Sequence, residues 1–111
     1  MPTADELYDE AIALQEADKL EEAVGKLESL LAEHPDHALA HAALSVFCGN
    51  LERHEDAVDH ARKVCQLEPD DPFSFTAMSI VCRKAGNMAD AEQAMAQAME
   101  KQWERQKRDD P

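Results

Sequence analysis

A chain of 111 residues with 44% apolar residues, 5% aromatics and three glycines is one modest domain, with a composition suited to close-packed helices rather than sheets. Its formal net charge of −13 repels phosphate backbones and anionic headgroups, which argues against nucleic-acid and membrane partners. The start, Met1-Pro2-Thr3-Ala4-Asp5-Glu6, shows no signal peptide, no stretch reaches membrane-span length, and three cysteines do not make a disulfide framework, so the expected location is cytoplasmic.

In chain order, the first helix is expected over residues 4–17. Thr3 and Glu6 read as a capping box, and Leu7, Ala11 and Leu14 recur at helical spacing. A second helix, 20–33, carries Leu20, Ala23, Val24, Leu27, Leu30 and Leu31, and Pro35 closes it because proline lacks the N–H that a continuing helix needs. The third, 38–51, sets Leu44, Phe47, Cys48 and Leu51 on its core face; the fourth, 54–67, is closed by Pro69. Asp71-Pro72 supplies an N-cap and a first-turn proline for a fifth helix over 72–85. Gly86-Asn87 then ends that helix and caps a sixth over 88–106.

An offset of 34 residues superimposes the chain on itself. Ala23, Ala57 and Ala91 align, each preceded by an acid (Glu22, Asp56, Asp90), and Pro35-Asp36 aligns with Pro69-Asp70. The small residues Ala11, Ser45 and Ser79 align too, where they would let two helices approach closely. So do Leu14, Cys48 and Cys82, and Leu30, Val64 and Ala98. This pattern resembles the tetratricopeptide repeat family over nearly the whole chain. The resemblance implies an all-α, right-handed solenoid of three antiparallel hairpins and six helices: one domain over 1–108, with repeats near 4–37, 38–71 and 72–105 and a frayed tail at 109–111. Two departures stand out. Asp18 and Glu52 occupy the turn position that Gly86 fits, and Trp103 replaces the closing proline, so the last helix is expected to run on.

In that family the first helices of successive repeats line a concave face that holds peptides or helices. Carried over, the inward residues are Tyr8 and Ile12; Leu39, Ala42, Ala43, Val46 and Asn50; and Phe73, Thr76, Ala77, Ile80 and Arg83. Family members that grip acidic chaperone tails place Lys, Asn and Arg at such positions. Tyr8, Ile12, Ala43, Phe73 and Ala77 cannot do that, and an apolar groove suits an amphipathic or hydrophobic segment instead. In kind this is similar to the three-repeat chaperones that guard apolar translocator proteins in bacterial secretion. The expected partner is therefore another protein.

Met95, Met99 and Trp103, with Met88 nearby, form a second candidate surface on the last helix, where a fourth repeat would stack: either Met95 and Met99 are core of the third hairpin, or, with Trp103 facing outward, they are the contact of a homodimer. His34, His37 and His41 are close together, but no Cys or carboxylate spacing completes a metal site, and His54 and His60 read as surface or packing residues. No phosphate loop or nucleophile elbow is present. The sequence thus reads as an acidic interaction module, an adaptor without cofactor or catalytic residues. The acidic excess is either only a solvated surface or a field that steers a basic partner.

Overall fold

The first helix begins where its cap predicts: the backbone N–H of Glu6 donates to Thr3 Oγ1 at 3.1 Å. The computed structural model describes residues 1–109 and contains α1 (Ala4–Glu16), α2 (Leu20–Glu33), α3 (Ala38–Asn50), α4 (His54–Leu67), α5 (Pro72–Lys84) and α6 (Met88–Asp109). Asp71 caps α5 through its carboxylate, which accepts from the Phe73 N–H at 3.0 Å, and Pro72 follows as expected. The cap of α3 is less ordinary: His37 accepts the Ala40 N–H on its Nδ1 at 3.1 Å. No helix among the described residues is long and apolar enough to cross a membrane.

The turns inside the three hairpins are the same structure built three times. The N–H groups of Asp18 and Lys19 donate to the carbonyls of Gln15 and Leu14. Glu52 and Arg53 do the same to Gly49 and Cys48, and Gly86 and Asn87 to Arg83 and Cys82. These are Schellman motifs, in which the residue just past the helix takes a left-handed conformation. That residue is glycine once, Gly86 with φ 85°, and otherwise Asp18 (φ 66°) and Glu52 (φ 63°). The repeat overrides local preference here, because the turn must close at a fixed length for the hairpin to pair.

Successive helices pack as antiparallel pairs, and the pairs stack along an axis to give a body of 46 × 34 × 22 Å. The core runs through the stack as one cluster, from Leu7, Ala11 and Leu27 through Leu44, Phe47 and Ala57 to Met78, Cys82 and Ala91. The aligned small residues Ala11, Ala23, Ala57 and Ser79 are wholly buried, as close helix approach requires. Ser45 and Ser79 satisfy their buried hydroxyls locally, donating to the carbonyls of Ala42 and Thr76 at 2.7 Å. The last helix differs from expectation. It runs to Asp109 instead of stopping near residue 106, so Lys107 and Arg108 lie in its final turn; of the tail expected at 109–111, residues 110 and 111 fall outside the described residues. With Trp103 in place of the closing proline, no proline stands between Met88 and Asp109 to stop it.

Candidate functional site

Helices α1, α3 and α5 carry the expected groove residues, and their exposure separates them into two kinds. Leu39, Val46, Phe73 and Ile80 are large apolar side chains left 61%, 52%, 69% and 44% exposed. Tyr8, Ile12, Ala42, Ala43 and Thr76 are half-buried, and Tyr8 stands against the His37 ring with centroids 6.2 Å apart. Asn50, Ala77 and Arg83 are exposed. Singly exposed apolar side chains are ordinary on a protein surface, so what matters is which of these meet.

Three of these residues meet in one place. Val46 of α3 and Ala77 and Ile80 of α5 line a cavity of about 130 Å³, together with Ser45, Gly49, Ala57 and Val81. Lys84 and His54 complete the lining, and His54 Nδ1 is buried without a hydrogen-bond partner. The volume is that of a single large apolar side chain. Reading the sequence alone missed Gly49, His54 and Lys84. The first leaves no side chain between α3 and α4. The other two come from the start of α4 and the last turn of α5, where single-helix periodicity gives no sign that they converge.

Phe73 does not join that notch. It lines a separate trough of about 450 Å³ with Pro72 and Thr76 of α5 and Met95, Ala98, Met99, Gln102, Trp103 and Gln106 of α6. Met95 is half-buried, whereas Met99 and Trp103 are 67% and 65% exposed; Met88, also exposed, lines neither cavity. The apolar face therefore has two parts: a notch between the second and third hairpins, and a trough along the outer side of the third.

Away from these two hollows, the buried and half-buried histidines and cysteines are engaged in packing. His41 is buried, and its Nε2 lies 2.7 Å from the Pro35 carbonyl, which can only accept, so that nitrogen carries the proton. His41 Nδ1 lies 3.0 Å from His60 Nδ1, and in the neutral ring it accepts the His60 Nδ1–H. Burial, and next the neighbouring His41, push the His60 pKa below its ordinary value, against the pull of Asp56, Glu28 and Asp59. Burial likewise raises the thiol pKa values of Cys48 and Cys82, and pushes Cys65 up to about 11. The Cys65 thiol donates to the Ser74 carbonyl at 3.4 Å. His34 is exposed while His37 and His41 serve as cap and core, and among the described residues no group of three His, Cys, Asp or Glu side chains is arranged to hold a metal ion.

Known proteins place this architecture. A TPR repeat-containing protein of Pseudomonas aeruginosa is 28% identical over 96 residues, 86% of this chain but only 16% of that protein. Among solved structures, MamA superposes with a TM-score of 0.85 at 19% identity, over 95% of this chain and 61% of its own. YrrB, described as a TPR protein with an unusual peptide-binding site, gives 0.81 at 16% identity over 92% and 53%. The CopN–Scc3 complex gives 0.82 at 15% identity over 88% and 58%. The chain thus spans about a sixth of the length of the relative it matches and somewhat over half that of the structures. At such identities the superpositions speak for the fold. The family model of the tetratricopeptide repeat matches residues 8–72, more than half of the chain, and with the three repeated hairpins this makes the chain a member of the tetratricopeptide repeat family.

Proposed function

We propose that the chain is a cytoplasmic adaptor that holds an apolar or amphipathic protein segment on its concave face, with Val46 and Ile80 at the centre of the contact and Tyr8, Ile12, Leu39, Ala43 and Ala77 around them. Asn50 and Arg83 supply directional hydrogen bonds at the edge. The observation that carries this reading is the notch: Val46, Ala77 and Ile80 converge from two helices on an apolar hollow sized for one side chain, although both helices already have a complete core face. Anchor side chains seated in such hollows are how helices bind in grooves. The peptide-binding site ascribed to YrrB and the partner chain in the CopN–Scc3 complex give the same fold two precedents for holding protein. An interface here falls at the small end of the usual range, below about 1,200 Å², which suits micromolar affinity.

Selection from a displayed library of 15-residue peptides tests it. Binders should share large apolar residues three and four apart, and Val46→Asp should abolish their binding while circular dichroism stays unchanged. Binders unaffected by Val46→Asp would remove the groove from consideration.

A second reading is carried by the trough. Met95, Met99 and Trp103, joined by Phe73, present their apolar surface where another hairpin would stack, and a second copy of the chain could cover it. Light scattering distinguishes this directly. A dimer that Trp103→Ala converts to monomer supports self-association, and a wild-type monomer at millimolar concentration excludes it.

A further inference from the structure

The concave face carries more than apolar surface. At the 34-residue spacing, Asp9 stands on α1 where Ala43 and Ala77 stand on α3 and α5, and Glu16 stands where Asn50 and Lys84 do. Lys84 lines the notch beside Ala77 and Ile80, which places this register on the groove side of its helix. Asp5 is in register with Leu39 and Phe73, and since Phe73 lies in the outer trough, the acids of the groove register are Asp9 and Glu16. The face therefore runs from acidic on α1, through apolar on α3, to basic on α5, where Arg83 precedes Lys84.

These charges are exposed, and among the described residues none has an ion-pair partner within 4.0 Å; the four ion pairs found among those residues use other side chains. Helix dipoles account for some of them. Asp5 lies in the first turn of α1, and Arg83 and Lys84 in the last turn of α5, the ends that favour those signs. They do not account for Asp9, in mid-helix, or for Glu16, at the negative end of α1 where a cation would be favoured. The surrounding field has the same sense, since residues 1–37 carry eleven acids and two bases whereas residues 72–111 carry six of each.

From this gradient we infer that the groove takes a charge-polarised amphipathic segment, its basic end over α1, its apolar anchors against Val46 and Ile80, and its acidic end over α5. Neighbouring helices lie about 8–10 Å apart, so the distance from α1 to α5 is on the order of 20 Å, or about 13 residues of bound helix. Charge rather than chain direction sets the orientation: a segment with its basic residues at either terminus turns that terminus towards α1. A uniformly basic segment is drawn to the acidic molecule as a whole but meets Arg83 and Lys84 at the far side, and a uniformly acidic one is repelled by α1.

The inference rests on the groove reading above, and the test separates the two. Four 15-residue peptides share the same leucine face. One is basic in its first half and acidic in its second, one is the reverse, one is all basic and one all acidic. Each carries a photo-reactive group at one end or the other. At about 0.15 M salt, where fields are screened beyond roughly 8 Å, both polarised peptides should bind more tightly than the all-basic one, on the order of fivefold for two or three exposed pairs. Cross-links from the basic terminus should map to α1 and those from the acidic terminus to α5. Lys84→Glu should invert the preference in favour of the all-basic peptide. If instead the all-basic peptide binds wild type as well or better, or the termini cross-link indifferently, the polarity is wrong while the groove stands. If no peptide binds, or Val46→Asp leaves binding intact, the groove and the polarity fall together.

Discussion

Glu52→Gly should make the protein more stable, although it deletes a whole side chain. Glu52 closes the second hairpin with φ 63°, in the same hydrogen-bonded turn that Gly86 closes at φ 85°. An L-residue held in that left-handed region costs about 1–2 kcal/mol. Glycine removes the cost but releases more entropy on unfolding, about 0.5–1 kcal/mol. The net gain is therefore about 0.5–1 kcal/mol. At Asp18, φ 66°, the gain should be smaller, because aspartate tolerates this conformation better than glutamate. The two substitutions act in separate hairpins and should add to about 1 kcal/mol, which raises the melting temperature of a domain this size by roughly 4–8 °C. The reciprocal change isolates the cause. A Cβ added at Gly86 would meet no atom within 4 Å, so Gly86→Ala should lose about 1 kcal/mol through backbone conformation alone. Thermal and urea unfolding followed by circular dichroism measures all three. A Glu52→Gly protein no more stable than wild type, with Gly86→Ala also neutral, would refute the assignment of strain to these turns.

Two further outcomes concern buried titratable groups. His60 has its folded pKa depressed, so the unfolded chain holds the proton more tightly. Its contribution to stability should be complete above pH 6.5 and lost as the pH falls through 6.5 towards the folded value. Urea midpoints between pH 7.5 and 5.5 should show this fall, and His60→Gln, which keeps a donor for His41, should flatten it; an equal fall in the variant would assign the effect elsewhere. Cys65, raised from 9.0 to about 11, should be alkylated at pH 8 about a hundredfold more slowly in the native protein than in urea, from thiolate fraction alone. Mass-mapped iodoacetamide labelling reads this, and equal rates would show the thiol to be unshielded.

The helices were legible because their punctuation is chemical: Thr3, Asp71, Pro72 and Gly86 each act at the end where the sequence sets them. The first helix of each hairpin ends one residue earlier than expected, at Glu16, Asn50 and Lys84, since the residue that follows is spent on the turn. The strained turns were visible only through the repeat, as neither Asp18 nor Glu52 announces a positive φ by itself. The pairing of His41 with His60 was not legible, because the two are 19 residues apart, a spacing unrelated to the period of 34. The candidate site was read in part for a similar reason. Periodicity says which face a residue occupies on its own helix but not which neighbouring helix it will meet. Thus Val46 and Ile80 emerge together, while Phe73 belongs beside Trp103.

The 22 residues of α6 outrun the 13 of α5, its antiparallel partner, and every side chain from Gln102 to Asp109 is exposed. About two turns of helix thus lie along the rim of the body, beside Asp70, Pro72 and Phe73, with no buried side chain to hold them, and an isolated helix that short is marginal in water. Whatever settles on Met99 and Trp103 would firm up this stretch as well as cover it. Amide exchange along its last turns would then act as a built-in gauge of occupancy, slowing when the outer face is covered and quickening when it is bare.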